Sequence, residues 1–136
     1  MTETASGLDL VIREADVAEF DQALQNLLRL SLAKCALLIN RNDGSLITTQ
    51  GYLDDMDTSS LGALAAGAFA SAREIARLVG ESEFSVLFHQ GQREHVHVNL
   101  AGQHGLLMTL FDDRTTVGLV RLCAREACAS LEARLS

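Results

Sequence analysis

The sequence predicts a three-layer α/β/α sandwich, an α+β fold with one five-stranded antiparallel sheet. The segments 34–41 and 105–111 are apolar at consecutive positions, which indicates strands covered on both faces. Short turns separate neighbouring strands, so those strands run antiparallel. Three longer segments repeat apolar residues at intervals of three and four, as amphipathic helices do. The predicted order is helix, strand, strand, helix, strand, strand, strand, helix.

The turn and cap residues set the bounds of each element. We predict helices at 17–30, at 59–80 and from about 117 onward, and strands at 34–41, 46–50, 84–90, 94–100 and 105–111. Asn42, Asp43 and Gly44 form the first hairpin turn. The predicted helix signals are Asp16 with Glu19 as a capping box, then Asp57, Thr58 or Ser59, then Gly80 as a left-handed end, then Thr115 or Thr116.

Size and charge limit the class of protein. The 136 residues suffice for one domain, which we place at 10–136 after a flexible leader at 1–9. A net charge of −7 argues against binding to nucleic acid or to an anionic membrane, and favours a protein partner. The start, Met-Thr-Glu-Thr, has no features of a signal peptide, so we expect a cytoplasmic protein with three reduced, buried cysteines.

The helix at 59–80 is the most informative segment, because nine of the eleven residues from Gly62 to Ala72 are Gly, Ala or Ser. We predict that its larger apolar residues face the sheet of the same chain; these are Leu61, Leu64, Ala68, Ile75, Leu78 and Val79. The other side, with Gly62, Ala66, Phe69, Arg73 and Arg77, would then face outward. An outward Phe between small residues indicates a protein contact, in the first place with a second copy of the chain. The alternatives are a helix buried on both sides within one subunit and a membrane helix, which Arg73, Glu74 and Arg77 disfavour.

Two features of the later strands bear on function. We place the strand 84–90 at the sheet edge beside the small-residue helix, where two subunits can join their sheets. His95 and His97 share one face of the next strand, and the hairpin register decides whether His89 joins them. Three imidazoles on one face would suit zinc, whereas polar sheet residues are the simpler interpretation.

No pattern in the chain indicates catalysis. The nucleotide-binding patterns GxxxxGK[ST] and GxGxxG and the nucleophile elbow GxSxG are all missing from the sequence. The acidic groups at 54–57 and 112–113 do not have the offsets of an EF-hand, so we interpret them as loop residues and helix caps. We therefore predict a protein that is not an enzyme and needs no cofactor.

Four segments together carry a family resemblance: ALLINRNDGSLI (36–47), LGALAAGAFASAREIARLVGE (61–81), FSVLFHQGQREHVHVNL (84–100) and LFDDRTTVGLVRL (110–122). Their order resembles the roadblock/dynein light chain family, in particular its bacterial MglB-type members, from about residue 20 to 125. The resemblance implies a profilin/longin-like roadblock fold and a homodimer with a continuous sheet and antiparallel central helices.

The resemblance also implies a function. MglB-type proteins bind a Ras-like, MglA-type small GTPase and stimulate GTP hydrolysis in cell polarity or motility without inserting an arginine finger. The alternative is a dimeric scaffold with no effect on hydrolysis. Some MglB-type chains continue past the last helix with a tail linked to nucleotide exchange, so we expect activation or binding here rather than exchange. The residues expected at the dimer or GTPase interface are Gly62, Ala65, Ala66, Ala68, Phe69, Ala72, Arg73, Phe84, Val86 and Phe88.

Overall fold

The computed structural model describes residues 4–5 and 11–136, so the predicted leader at 1–9 lies outside the described residues apart from Thr4–Ala5. The strands are β1 (Thr4–Ala5), β2 (Val11–Ile12), β3 (Cys35–Asn40), β4 (Leu46–Gly51), β5 (Val86–Gln90), β6 (His95–Ala101) and β7 (Gly105–Phe111). The helices are α1 (Glu14–Ser31), α2 (Thr58–Leu78) and α3 (Val117–Leu131), and a 3₁₀ turn follows at Glu132–Arg134.

Five strands form one antiparallel sheet in the order β4-β3-β7-β6-β5, and β1 pairs separately with β2. Helices α1 and α3 pack against each other and cover one face of the sheet. Helix α2 alone covers the other face, where it packs on β3, β4 and β7. The predicted three-layer sandwich and its element order are confirmed, as is the position of β7 at the centre and of β5 at an edge.

Burial explains why β3 and β7 are apolar at consecutive positions. Every residue of β3 is buried, and six of the seven residues of β7 are. Leu37, Ile39 and Met108 point toward α2, whereas Leu38 and Leu107 point toward α1 and α3. The three cysteines are buried and free, as predicted, and burial raises the pKa of the Cys35 thiol to about 11 and of the Cys128 thiol to about 12.

The N-terminal caps follow the sequence in two of the three helices, and Gly80 has the predicted left-handed conformation with a φ of +89°. The Asp57 carboxylate accepts hydrogen bonds from the Ser60 hydroxyl and amide, which hold the pKa of Asp57 below its usual range. Thr116 accepts the Leu119 amide at 3.2 Å at the start of α3. The first cap was predicted wrongly: α1 begins at Glu14, and Asp16 lies inside its first turn, where it accepts the Arg13 amide.

The predicted orientation of α2 is wrong. Its buried residues are the small ones and the phenylalanine: Gly62, Ala65, Phe69, Ala72 and Ala76. Phe69 is 1% exposed and packs in the core between α2 and the sheet, so its own subunit covers it. Of the large apolar residues that were expected in the core, Leu61 is half-buried against it. The others are exposed, with Leu64 at 71% and Leu78 at 76%. Small side chains lie toward the sheet because they let the helix approach it closely, while the sheet supplies the bulk that fills the core.

Gly62 shows how close this approach is. A Cβ on Gly62 would lie 2.4 Å from the carbonyl oxygen of Gly44, in the turn between β3 and β4. Gly44 itself has a φ of +78°, as the predicted hairpin turn requires. The two glycines therefore fix the start of α2 against the first hairpin within one subunit.

The histidines do not converge. His89 pairs with Val96 in the β5–β6 ladder, so it lies on the α2 side of the sheet, whereas His95 and His97 lie on the α3 side. This register contradicts the zinc hypothesis. His95, His97 and Asn99 are also buried beneath α3. The alternation of β6 predicted that they face outward or against something polar, and the first alternative is wrong.

Candidate protein interface

An apolar groove runs between α2 and the edge of the sheet. Because α2 lies over β3, β4 and β7, it leaves β5 and β6 partly bare on this face. The groove has a volume of about 160 Å³ and is lined by Leu61, Leu64, Ala65, Ala68, Leu87, His89, Val96, Val98 and Met108. We call it the α2–β5 groove. Its lining is almost entirely hydrocarbon, which is typical of a surface that packs against another polypeptide.

Helix α2 forms one wall of this groove, and Leu64 belongs both to that wall and to the outward side of the helix. Leu64, Gly67, Ser71, Ile75 and Leu78 are all exposed and recur at intervals of three and four. Gly67 has no atom within 4 Å of where a Cβ would lie, so the helix backbone is open there. The exposed side of α2 therefore has large side chains at its ends and small side chains near its centre.

Strand β5 forms the other wall and ends the sheet. Among the described residues it is hydrogen-bonded only to β6. Leu87 and His89 point into the groove, since they pair with Val98 and Val96 of β6. An edge strand with unpaired backbone groups accepts another strand readily, so the groove and the edge form one continuous surface.

The structure divides the predicted interface residues into four sets, of which Arg73 alone forms the last. Gly62, Ala65, Phe69 and Ala72 are buried within the subunit, and Ala66 is half-buried against the same core. Ala68 lines the groove. Val86 and Phe88 lie on β5 but point toward the α3 side, where Phe88 stacks on Phe111 with ring centroids 6.1 Å apart; half-buried Phe84 precedes the strand.

Arg73 belongs to a charged cluster on the flank of α2 away from the groove. Its guanidinium lies 3.2 Å from the Glu83 carboxylate, which also pairs with Arg41. Burial lowers the pKa of the Arg41 guanidinium, and the nearby Arg73 charge lowers it further. This cluster ties the turn after β3 to the segment before β5.

The sequence interpretation missed the groove residues Leu64, Leu87 and Val96. Their signal was present, because β6 alternates with valines toward this face and α2 carries large apolar residues on one flank.

Among the described residues, no group of three or more His, Cys, Asp or Glu side chains could hold a metal ion. No helix in the described ranges is long and apolar enough to cross a membrane.

Comparison with known proteins gives a consistent result. The sequence model of the Roadblock/LC7 domain matches residues 19–111. The gliding protein MglB from Thermus thermophilus is 32% identical with a TM-score of 0.86, covering 93% of this chain and 95% of that chain. MglB from Myxococcus xanthus is 34% identical with a TM-score of 0.80, covering 85% and 93%. An MglB structure described as having a tetrameric arrangement is 31% identical with a TM-score of 0.87, covering 93% and 94%.

A more distant likeness shows the fold alone. Profilin II from Acanthamoeba castellanii is 14% identical with a TM-score of 0.62, covering 85% of this chain and 98% of that chain. A search of curated protein sequences gives no significant match.

Proposed function

The chain belongs to the Roadblock/LC7 family, and from this we propose that it is a homodimeric regulator of a Ras-like, MglA-type small GTPase. In this proposal the dimer binds the GTPase in the cytoplasm and stimulates GTP hydrolysis. The likeness to MglB over 93% of the chain supports the choice within the family. The observation that carries the proposal is the exposed apolar α2–β5 groove, which needs a protein partner.

The outward side of α2 is self-complementary, which supports a second copy as the first partner. Leu64 and Leu78 are both seven residues from Ser71. In an antiparallel helix pair centred on Ser71, Leu64 meets Leu78 of the partner subunit. Gly67 then meets Ile75 of the partner subunit, so a large side chain enters the space above a bare backbone. Such knob-and-hole pairing is the packing that closely spaced helices prefer.

The edge strand supports the same arrangement. A twofold axis beside α2 also brings β5 of one subunit to β5 of its partner, and the two edges pair as antiparallel strands. Leu87 lies on the groove face of β5 and is half-buried in one subunit. Pairing of the edges buries it further, so the sheet and the helices are joined in one interface.

We propose that stimulation occurs without an arginine finger. The exposed arginines of α2 are held by neighbours of their own subunit: Arg73 pairs with Glu83 at 3.2 Å and Arg77 with Glu74 at 2.8 Å. In the proposed mechanism the dimer binds preferentially to the hydrolysis-competent conformation of the GTPase, and the population shifts toward that state. The catalytic groups then belong to the GTPase.

Single-turnover GTP hydrolysis by the MglA-type GTPase of the same organism tests the proposal. We expect a faster rate in the presence of this protein, and the same rate with Arg73→Ala or Arg77→Ala within a few-fold. An arginine finger contributes roughly 10³- to 10⁵-fold, so a loss of that size in either variant would refute the proposed mechanism. Leu122→Ala on α3 serves as the matched surface control.

Binding must be measured in parallel by sedimentation of the complex. An unchanged hydrolysis rate in a complex that does form contradicts activation and indicates the scaffold function. Absence of a complex with both the GDP and the GTP forms contradicts the choice of partner.

A further inference from the structure

A second cleft lies on the opposite face of the sheet, between α3 and the strands β5 and β6. It has a volume of about 420 Å³, within the range of small-molecule sites. His97 and Asn99 from β6 lie at its floor, and Arg121, Arg125 and Cys128 from α3 lie along one side. We call it the α3–β6 cleft. It does not overlap the α2–β5 groove, because side chains on β6 alternate between the two faces.

The floor of this cleft contains polar atoms that the described residues leave without a hydrogen-bond partner. They are both ring nitrogens of His97 and the amide oxygen of Asn99. The hydroxyl of Thr109 is in the same condition, and Thr109 is the direct cross-strand neighbour of His97. His97, Asn99 and Thr109 are 1%, 7% and 0% exposed. An unsatisfied buried polar group is destabilising, and most native proteins satisfy such groups.

A contact with α3 orients Asn99. Its side-chain nitrogen donates to Cys128 Sγ at 2.9 Å, which leaves the amide oxygen free. Burial and the Arg121 charge lower the pKa of His97 to about 4, so the imidazole is neutral at pH 7. A neutral imidazole offers one donor and one acceptor. The floor therefore presents uncharged groups of both kinds.

The rim of the cleft is charged, whereas its floor is uncharged. Arg121 and Arg125 are exposed and lie one helical turn apart on α3, and neither has an ion-pair partner among the described residues. This pairing of two free guanidinium groups occurs in a chain with a net charge of −7. Glu132 lies along the same face at the far end of the cleft. The cleft is thus cationic at one end and anionic at the other.

We propose that the α3–β6 cleft binds the oxyanion, phosphate or carboxylate, of a small polar molecule. Arg121 and Arg125 hold the oxyanion, because guanidinium groups match its geometry. Pairing of the remaining polar groups of the ligand with His97 and Asn99 requires the cleft to open slightly, because these atoms are closed to solvent in the structure. The ligand is small because the cleft has a volume of about 420 Å³.

NMR titration of the ¹⁵N-labelled full chain tests this site. Inorganic phosphate and succinate are the two probes, each added at constant ionic strength by replacing chloride, so that general screening does not change. We expect saturable shifts of the His97 ring nitrogens and of the Asn99 side-chain amide. A response to phosphate alone or to succinate alone identifies the kind of oxyanion.

The variant Arg121→Gln/Arg125→Gln should weaken binding about tenfold or more, because two charge-assisted contacts are lost. Arg29→Gln/Arg93→Gln is the matched control, since it removes the same charge from exposed arginines outside the cleft. The control should bind as the wild type does. Shifts that do not saturate, or equal affinity in the two double variants, overturn the proposal. All these changes are on the surface, and a dispersed amide spectrum verifies that each variant folds.

Discussion

The substitution Leu64→Ala tests whether Leu64 lies in a dimer interface, as its exposure in the subunit indicates, or in the core of one subunit, as the sequence predicted. Full burial of a leucine stabilises by about 1.5–3 kcal/mol, and 71% of Leu64 is exposed in the subunit. Covering that fraction contributes about 1–2 kcal/mol per subunit, or about 2–4 kcal/mol for both copies in a twofold dimer. At about 1.4 kcal/mol for each factor of ten, the dimer dissociation constant rises roughly 30- to 700-fold. Alanine retains its Cβ, so the lower part of this range is expected.

Sedimentation equilibrium over a series of protein concentrations measures this constant. Leu122→Ala is the control, because Leu122 is 52% exposed on α3, on the other face of the sheet. It should leave the dissociation constant unchanged. If Leu64→Ala associates as tightly as the control does, the α2–β5 groove is not the dimer interface and the reasoning from exposure fails.

Two further predictions concern the subunit itself. Gly62→Ala forces a Cβ to within 2.4 Å of the Gly44 carbonyl oxygen, and this overpacking should lower the free energy of unfolding by about 1–3 kcal/mol in urea titrations; unchanged stability contradicts the close approach. The pKa of His97 is about 4 in the folded protein and 6.5 ordinarily. Between these two pH values only the unfolded chain gains a proton. The free energy of unfolding therefore falls as the pH falls, by about 3 kcal/mol in all. Unfolding curves for His97→Phe should lack this part of the pH dependence, and an unaltered slope would falsify the assignment.

Much of the fold could be predicted because its signals are local. The continuous apolar runs of β3 and β7, the Asp43-Gly44 turn and the Thr116 cap each depend on a few neighbouring residues. The position of β5 at an edge is also confirmed, although it was predicted from the joining of two subunits and not from a local signal. These patterns describe how many faces of an element are covered, but they do not say which chain covers them.

The buried and exposed sides of α2 were predicted the wrong way round, because the pattern does not say which chain covers each side. Periodicity located two sides of the helix correctly, but the larger apolar residues were assigned to the core by size. In the structure, Leu64 and Leu78 are exposed, and Phe69 is the single large side chain of α2 that is fully buried. Small residues at the contact bring the backbone close to the sheet, and no local rule states how close that approach is. The side predicted to face outward, with Gly62 and Phe69, is the buried one, and the exposed apolar surface of α2 consists of other residues, among them Leu64 and Leu78.

The histidines of β6 illustrate the same difficulty. Alternation identified the two faces of the strand, and polarity suggested that His97 and Asn99 face outward or against something polar. Helix α3 covers them, whereas the valine face of β6 is only partly covered by its own chain. A strand pattern reflects the environment in the complete assembly, so we interpret an apolar face that remains open in one subunit as the surface for the neighbour in the proposed dimer.

The dimensions of the sheet indicate what that neighbour is. Five strands about 4.8 Å apart make a sheet roughly 20–24 Å wide, and two helices about 10 Å in diameter cover such a width. On one face α1 and α3 supply both helices, but on the other α2 packs mainly on β3, β4 and β7. The partly covered strip beside α2 is bordered by β5, an edge strand that pairs only with β6 among the described residues. A helix of another chain fits this strip better than a loop does, because its apolar side can contact both α2 and β5. The α2 helix of a second copy meets that requirement, since its outward side already has the large and small residues in complementary order.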